Sequence, residues 1–590
     1  MLQQGESLSL LACVVKCRLG EVKDECSACG IVLRPDQGIV LTHGSVLADL
    51  ILQDDALKDM VKSGQFIDGI CLKDCEFDVL LDRRWCETSK GQVVWPVAAS
   101  DASYMKSLRN GSVTSYTKVH SKFLGAFRND HFHQTVSSLM PKSNWKFAND
   151  VSDESLSMEE SEKETSTSKS ALDESEIAFQ LLSYFLVLRI APITLHQNDG
   201  VKNGLETFVS ERSVCSAGDV AELIATPFGG LSPGVFFNSF SRGVVSNVSG
   251  PRNCWILTDA RCIPGSEGAP LFTSGKGESG RHLTGIVAAS LCWKNNEWVG
   301  FSVACSLDSI MHSLTQQVQR LHPGRSMAAL GWTDSLSSVA AWRRLSVPHA
   351  GNASKDWLLA TTVLVQVGST WGSGVIVHQG EGLILTCSHV VKDADSHSVL
   401  VRACGGSEHY KAEVLYRQNP VDGPFDVAVL RCRKATAQSS ASSALSIVKP
   451  VVGQRVYAVG HAVFSADSDL PPSVSAGVVS KIVCSGGQPV MVQSTCAVHP
   501  GASGGPLLSA SGQLVGILVC NTRDQSNSSC FPHVNMSVPA VAAWTAVQKY
   551  RRTGDKQHLH SLQLQNSYVK KLWALGSVTQ GNTTTCQSRL

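Results

Sequence analysis

Residues His499 to Leu508 read HPGASGGPLL and set Ser503 among three glycines and a proline, just ahead of an apolar run. A serine hydroxyl is a poor nucleophile at neutral pH. It needs a base to take its proton and a third group to orient that base. The preceding 120 or so residues supply both types in order: His389 in LILTCSHVV and Asp426 in FDVAVL, with Asp422 a nearby competitor for the acid's place. The turn also gives its glycines a purpose. Backbone N–H groups of Gly501 and Ser503 would point into one hole and hold a developing oxyanion, which a side chain at Gly501 would impede. Each residue has a plainer use when taken alone: a structural histidine at a strand end, an aspartate capping a strand, a serine in a tight turn. Their order and spacing together point to acyl transfer.

The elements that must position these groups are short strands. Runs such as TTVLVQV, GVIVHQG, GLILTC, DVAVLRC and GQLVGILVC are rich in Val, Ile and Leu and are broken by Gly, Ser and Asp. That is the pattern of a β-barrel or sandwich. Residues 311–322 and 537–552 are the best helix candidates, each closing a strand-rich region. The order His…Asp…Ser is that of a chymotrypsin-like double barrel rather than of subtilisin or the α/β-hydrolases.

The strand pattern occurs twice. GIVLRPDQGIVLTHGSVL, from Gly30, aligns without a gap on GVIVHQGEGLILTCSHVV, from Gly374. SRGVVSNV (241–248) matches SAGVVSKI (475–482), PGSEGAPLF (264–272) matches PGASGGPLL (500–508), and LTGIV (283–287) matches LVGIL (514–518). Four matches in one order indicate two copies of one fold. The first copy lacks the chemistry: Ser45 falls on His389, Tyr184 on Asp426 and Glu267 on Ser503. It is longer by roughly a hundred residues, which an insertion containing the Ser- and acid-rich segment 152–176 explains; that composition predicts a disordered linker. The domain reading is a degenerate protease-like unit over 1–322, a linker over 323–352, a catalytic unit over 353–552 and a tail over 553–590. The expected fold is all-β: two tandem trypsin-like double barrels, the first degenerate, with a helix after the second.

Bulk properties narrow the function. With 17% charged residues and a formal net charge of +1, the chain lacks the basic footprint of a nucleic-acid or anionic-membrane binder. No apolar run is long enough to span a membrane. Ser7 to Val15 could pass for a short signal core, but Glu6 precedes it and no Lys or Arg does, unlike a secretory signal. The 20 cysteines then read mostly as buried thiols. Cys26 and Cys29, and Cys71 and Cys75, have loose metal-ligand spacings but no His cluster to complete a site. No metal or other cofactor is expected. The last residues, Ser588-Arg589-Leu590, resemble a C-terminal peroxisomal address read by an import receptor, on a tail expected to be flexible.

TCSHVV, FDVAVL and HPGASGGPLL resemble the trypsin superfamily, and PGxSGGPL is most similar to its Deg/HtrA branch. Those proteases normally carry a PDZ domain after the barrels, for which too little chain follows residue 550. The duplicated barrel and terminal tripeptide make the whole similar to the peroxisomal trypsin-domain-containing processing proteases. The motifs cover about 355–545; the first half is matched by its repeat and layout. The resemblance implies a serine endopeptidase of the peroxisomal matrix that removes N-terminal leaders from imported precursors, trims some β-oxidation enzymes and processes itself. It implies a cut beside cysteine. In such a protease the residue six before the nucleophile lies at the base of the primary pocket; here it is Ala497, with no acid to pair with Arg or Lys, so a small or apolar side chain is expected there. A Deg-type quality-control protease and a non-catalytic two-barrel scaffold stay open, as does a homo-oligomer.

Overall fold

The structure is a computed structural model. It describes residues 12–19, 25–34, 37–73, 75–82, 86–87, 93–94, 116–140, 145–147, 167–194, 215–226, 228, 236–262, 265–274, 282–294, 297–321, 356–418, 425–439, 445–464, 468, 470–523, 530–563, 569–570, 573 and 587–589. Asp422, the 323–352 linker, Leu590 and residues 152–166 lie outside these.

The apolar runs fold into four six-stranded antiparallel barrels. In the first, Ala12–Leu19, Glu25–Arg34, Ile39–His43, Tyr184–Arg189, Tyr116–Arg128 and Cys75–Asp82 form a closed ring. The second runs through Pro270–Ser274, Val220–Ala225, Ser239–Ser249, Trp255–Thr258, Glu297–Ser306 and His282–Lys294, closed by pairing of its first and last strands. In the third, Tyr410–Lys411 pairs with Val399–Ala403 and Glu413–Arg417 pairs with Ala428–Arg431. Only Ala412 separates those two pieces, and its N–H bonds Val399 O at 2.9 Å, so they act as one bent strand that completes the ring. The fourth barrel repeats the second, with Pro506–Ser509 pairing to Leu514–Arg523. Closure leaves few unpaired strand edges, which suits chains this rich in Val, Ile and Leu. Each half is thus a double barrel.

The predicted helices are present as Leu307–Leu321 and Ala540–Thr553. Two expectations are corrected. A helix, Thr167–Leu181, enters the segment predicted to be disordered. Its last turns carry Ile177, Phe179 and Leu181, all buried against the first barrel, so burial overrides the polar composition upstream. The boundary at 553 is also too early. Leu559, Leu562, Val569 and Trp573 join the core of the catalytic unit, and Trp573 Nε1 donates to Val490 O at 3.1 Å. Further on, Gln587–Arg589 is not loose chain: it pairs antiparallel with Cys520–Thr522.

The two halves pack through equivalent elements. Ser239–Ser249 lies against Ser473–Ser485, and Glu297–Ser306 against Cys530–Pro539. One apolar cluster joins Trp255, Phe272, Phe301 and Val303 of the second barrel to Val456, Phe464, Val479 and Val498 of the fourth. Asp259 ties the seam. Its Oδ1 accepts from Val244 N at 2.6 Å within its own half, and its Oδ2 from Ala476 N at 2.8 Å across it. The hydroxyl of Thr495, at the matching place in the other half, accepts the local bond from Val478 N at 3.0 Å.

Desolvation in the seam pushes the Asp259 carboxyl up to about 6, against the opposing pull of its two backbone donors. Since the folded value exceeds the ordinary 3.8, this group's contribution to stability is complete below that pH and is lost as pH rises through about 6. The wild-type melting midpoint should therefore fall over that interval more than that of Asp259→Asn, which has no proton to lose. Thermal melts of both proteins across the interval would check this; parallel curves would contradict it.

Candidate active site

The three residues predicted to do chemistry come from two barrels. His389 and Asp426 belong to the third: His389 opens a short turn after strand Leu383–Thr386, and Asp426 lies just before Ala428–Arg431. The register of these strands, Thr386 opposite Ala428, brings the two residues together. His389 Nδ1 hydrogen-bonds Asp426 Oδ2, and Asp426 Oδ1 accepts from His389 N at 3.0 Å. Asp426 is 4% exposed. Both of its oxygens thus face the histidine, fixing the ring and leaving Nε2 as the outward nitrogen. Among the described residues, the one cluster of three metal-ligand types is Cys387, His389 and Asp426, and the last two are already joined to each other.

Ser503 belongs to the fourth barrel and is fully buried, with its hydroxyl directed to Val519 O at 3.3 Å, long for an O–H···O bond. Its turn is held from several sides. Gly501 and Gly504 have φ of +92° and +84°, in the left-handed region that side chains disfavour. A Cβ on Gly501 would sit 2.3 Å from His461 O, and one on Gly504 2.2 Å from Ser373 O. Ser373 of the third barrel clamps the turn twice: its N–H donates to Ser503 O at 2.8 Å and its hydroxyl to Gly501 O at 2.8 Å. The amides of Ala502, Gly504 and Gly505 bond His499 O, Leu518 O and Ala502 O. Gly501 and Ser503 are the residues whose amides the sequence nominates for an oxyanion. Ala497 is buried, and its carbonyl accepts from Ser475 Oγ at 2.6 Å.

The first half keeps this backbone and loses the chemistry. Cys29 N donates to Glu267 O at 2.7 Å, as Ser373 N does to Ser503 O. Thr42 and Thr386 hydroxyls make matching 2.6 Å bonds to Cys29 O and Ser373 O. Gly265 and Gly268 have φ of +88° and +87°, matching Gly501 and Gly504. Glu267 therefore stands in the first half where Ser503 stands in the second. Its carboxylate turns back and accepts from Gly265 N at 2.8 Å, the counterpart of the Gly501 amide. Burial raises its pKa. Ser45 pairs with His43 at 3.1 Å, and the Tyr184 hydroxyl reaches the carbonyls of Met60, Val61 and Gln65 instead of a base. The three equivalents thus make separate local contacts.

Ser373, Ser475 and Trp371, whose indole N–H donates to His461 O at 3.3 Å, are supports that sequence reasoning missed. Ser373 had one available signal, its position in the repeat opposite Cys29.

A trypsin-like peptidase domain model matches residues 372–517. The peroxisomal leader peptide-processing protease of Mus musculus is 32% identical over 438 residues, covering 73% of this chain and 70% of the mouse protein. The protein of the same name from Homo sapiens is 36% identical over 392 residues, covering 64% of this chain and 65% of its own length. Protease Do-like 1, chloroplastic, of Arabidopsis thaliana is 30% identical over 227 residues, 38% of this chain and 49% of that protein. Among solved structures, the serine endoprotease of Yersinia pestis is 25% identical, covering 35% of this chain and 69% of that chain with a TM-score of 0.26.

The close approach at Gly501 makes a direct prediction. Gly501→Ala should stay folded by circular dichroism yet lose about 10²–10³ in kcat, as expected when one oxyanion donor is displaced. An alanine variant with wild-type turnover would mean that this turn does not hold the oxyanion.

Proposed function

This chain belongs to the family of peroxisomal leader peptide-processing proteases and is a trypsin-fold serine endopeptidase; from that premise we propose that it works in the peroxisomal matrix, removing N-terminal leaders from imported proteins through a His389–Asp426–Ser503 triad. The observation that carries the reading is the pairing of His389 with both oxygens of Asp426, on a barrel that Ser373 N–H ties to Ser503 O on its left-handed glycine turn. In this reading His389 Nε2 takes the Ser503 proton as Oγ attacks the scissile carbonyl. Asp426 holds Nδ1–H and stabilises the imidazolium. The amides of Gly501 and Ser503 receive the negative charge on the carbonyl oxygen. His389 then passes the proton to the leaving amine, and water releases the acyl group by the same steps in reverse.

The small pocket base at Ala497 favours a small or apolar side chain before the cut, cysteine among them. Trimming of some β-oxidation enzymes and self-processing are part of the same proposal, as is delivery by the import receptor that reads Ser588-Arg589-Leu590. Because Gln587–Arg589 is paired in this structure, the receptor would have to take those residues off the sheet before reading them.

The test mixes purified wild type, Ser503→Ala and Asp426→Asn with a precursor carrying its leader, and reads product termini by mass spectrometry. One new terminus is expected with wild type, none with Ser503→Ala, and kcat about 10⁴-fold lower with Asp426→Asn. Many scattered Ser503-dependent cuts would replace the processing role with a degradative one. Absence of both cleavage and fluorophosphonate labelling would leave a non-catalytic binding protein.

A further inference from the structure

The oxyanion turn is braced by side chains from the half that has no triad. We propose that the degenerate half is a built-in positioning partner for the catalytic turn, with Phe301, Trp255 and Asp259 as its positioning residues. The inference rests on the reading of Ser503 as nucleophile.

Three contacts converge from separate directions. Phe301, 2% exposed, packs its ring 5.0 Å from that of His499. His499 begins the turn, and its carbonyl takes the Ala502 amide at 3.0 Å. Trp255, fully buried, meets Phe464 edge-on at 5.9 Å. Phe464 ends the short loop from His461 that lies over the turn: His461 O stands where a Gly501 side chain would be, and Val463 N donates to Pro500 O at 2.9 Å. Asp259 accepts from Ala476 N, next to Ser475, whose hydroxyl holds the carbonyl of Ala497 at the pocket base. A second cross-seam hydrogen bond, Asn247 Nδ2 to Pro471 O at 2.8 Å, holds the chain just before strand Ser473–Ser485.

The loop has to be held. Val463 sits at φ +75°, a conformation a β-branched residue adopts only when its surroundings impose it. Its N–H is the donor to Pro500 O, so the strained residue is also the clamp on the turn. Within the catalytic unit the loop packs on the fourth barrel and is bonded at His461 by Trp371 and Ser373 of the third. The aromatic wall behind Phe464 belongs to the other half. Oxyanion donors must be held to a fraction of an ångström, and displacement of about 1 Å costs up to about a hundredfold in rate. Loss of the brace should therefore appear in turnover before it appears in folding.

The experiment uses the full-length chain as wild type, Phe301→Ala, Phe301→Tyr and Asp259→Ala. Active sites are titrated with a fluorophosphonate probe, and kcat per titrated site, KM for a leader-bearing peptide and melting midpoint are measured. For Phe301→Ala and Asp259→Ala, kcat per titrated site should fall about ten- to a hundredfold while KM stays within about twofold. Phe301→Tyr, which keeps the ring, should restore most of the turnover. A merely structural role would lower the melting midpoint or the number of titrated sites and leave kcat per site unchanged; that result overturns the proposal. If Phe301→Ala fails to fold, Asp259→Ala decides on the same readout. Failure of wild type to label at Ser503 would instead remove the protease reading, whereas labelled variants matching wild type per site would remove only the brace.

Discussion

The backbone hydrogen bond from Ser373 N–H to Ser503 C=O joins the third barrel to the fourth at the point where chemistry is expected. Everything else at the site follows from it. His389 and Asp426 are carried by one barrel and Ser503 by the other, so the proposed base and nucleophile can meet only if the barrels are locked in one relative position. The Ser373 hydroxyl adds a second tie, to Gly501 O, and the left-handed glycines let the chain pass close enough for both. Any side chain larger than hydrogen at Gly504 would push against Ser373 O and separate the two surfaces. The same constraint explains why the twin bond, Cys29 N–H to Glu267 C=O, persists in a half without a triad: it joins barrels there too.

Much of this was legible in the residues. Strand runs, the repeat and the His, Asp and Ser motifs are local features, and local periodicity and turn chemistry carry them. The turn around Glu267 has the hydrogen bonds and glycine angles of the turn around Ser503. The illegible parts depend on distant chain. The helix at Thr167–Leu181 forms because three apolar residues at its end find a barrel to pack on, while its own composition argues for a linker. Trp573 and Leu562 look like tail residues until the core they fill exists. Asp259 and Phe301 lie about two hundred residues before Ala476 and His499, their partners across the seam, and a strand-terminal aspartate or an alternating phenylalanine carries no mark of a partner in another domain.

The degenerate half keeps the backbone of the turn while Ser45, Tyr184 and Glu267 stand where the repeat puts His389, Asp426 and Ser503. Its turn keeps the glycine conformations and its barrels keep their joining bond. One substitution places a carboxylate where the hydroxyl would be, and that carboxylate folds back onto the Gly265 amide. A carboxyl of the chain's own thus lies on the counterpart of the Gly501 amide, which is proposed to receive the substrate's oxyanion. Burial raises the carboxyl's pKa, but the backbone bonds at Gly265 and at Glu267 itself pull it the other way.

Equivalent strands facing equivalent strands across the seam have the arrangement of a two-fold symmetric dimer, here written into one polypeptide. A dimer of identical chains cannot give its two copies different duties, because any change appears on both. Fusion removes that restriction. Asp259 can reach across while Thr495, its counterpart, keeps to its own side, and one copy can shed its chemistry without depriving the other. The partnership is then set at one to one by the chain itself, at an effective concentration that dilution cannot lower.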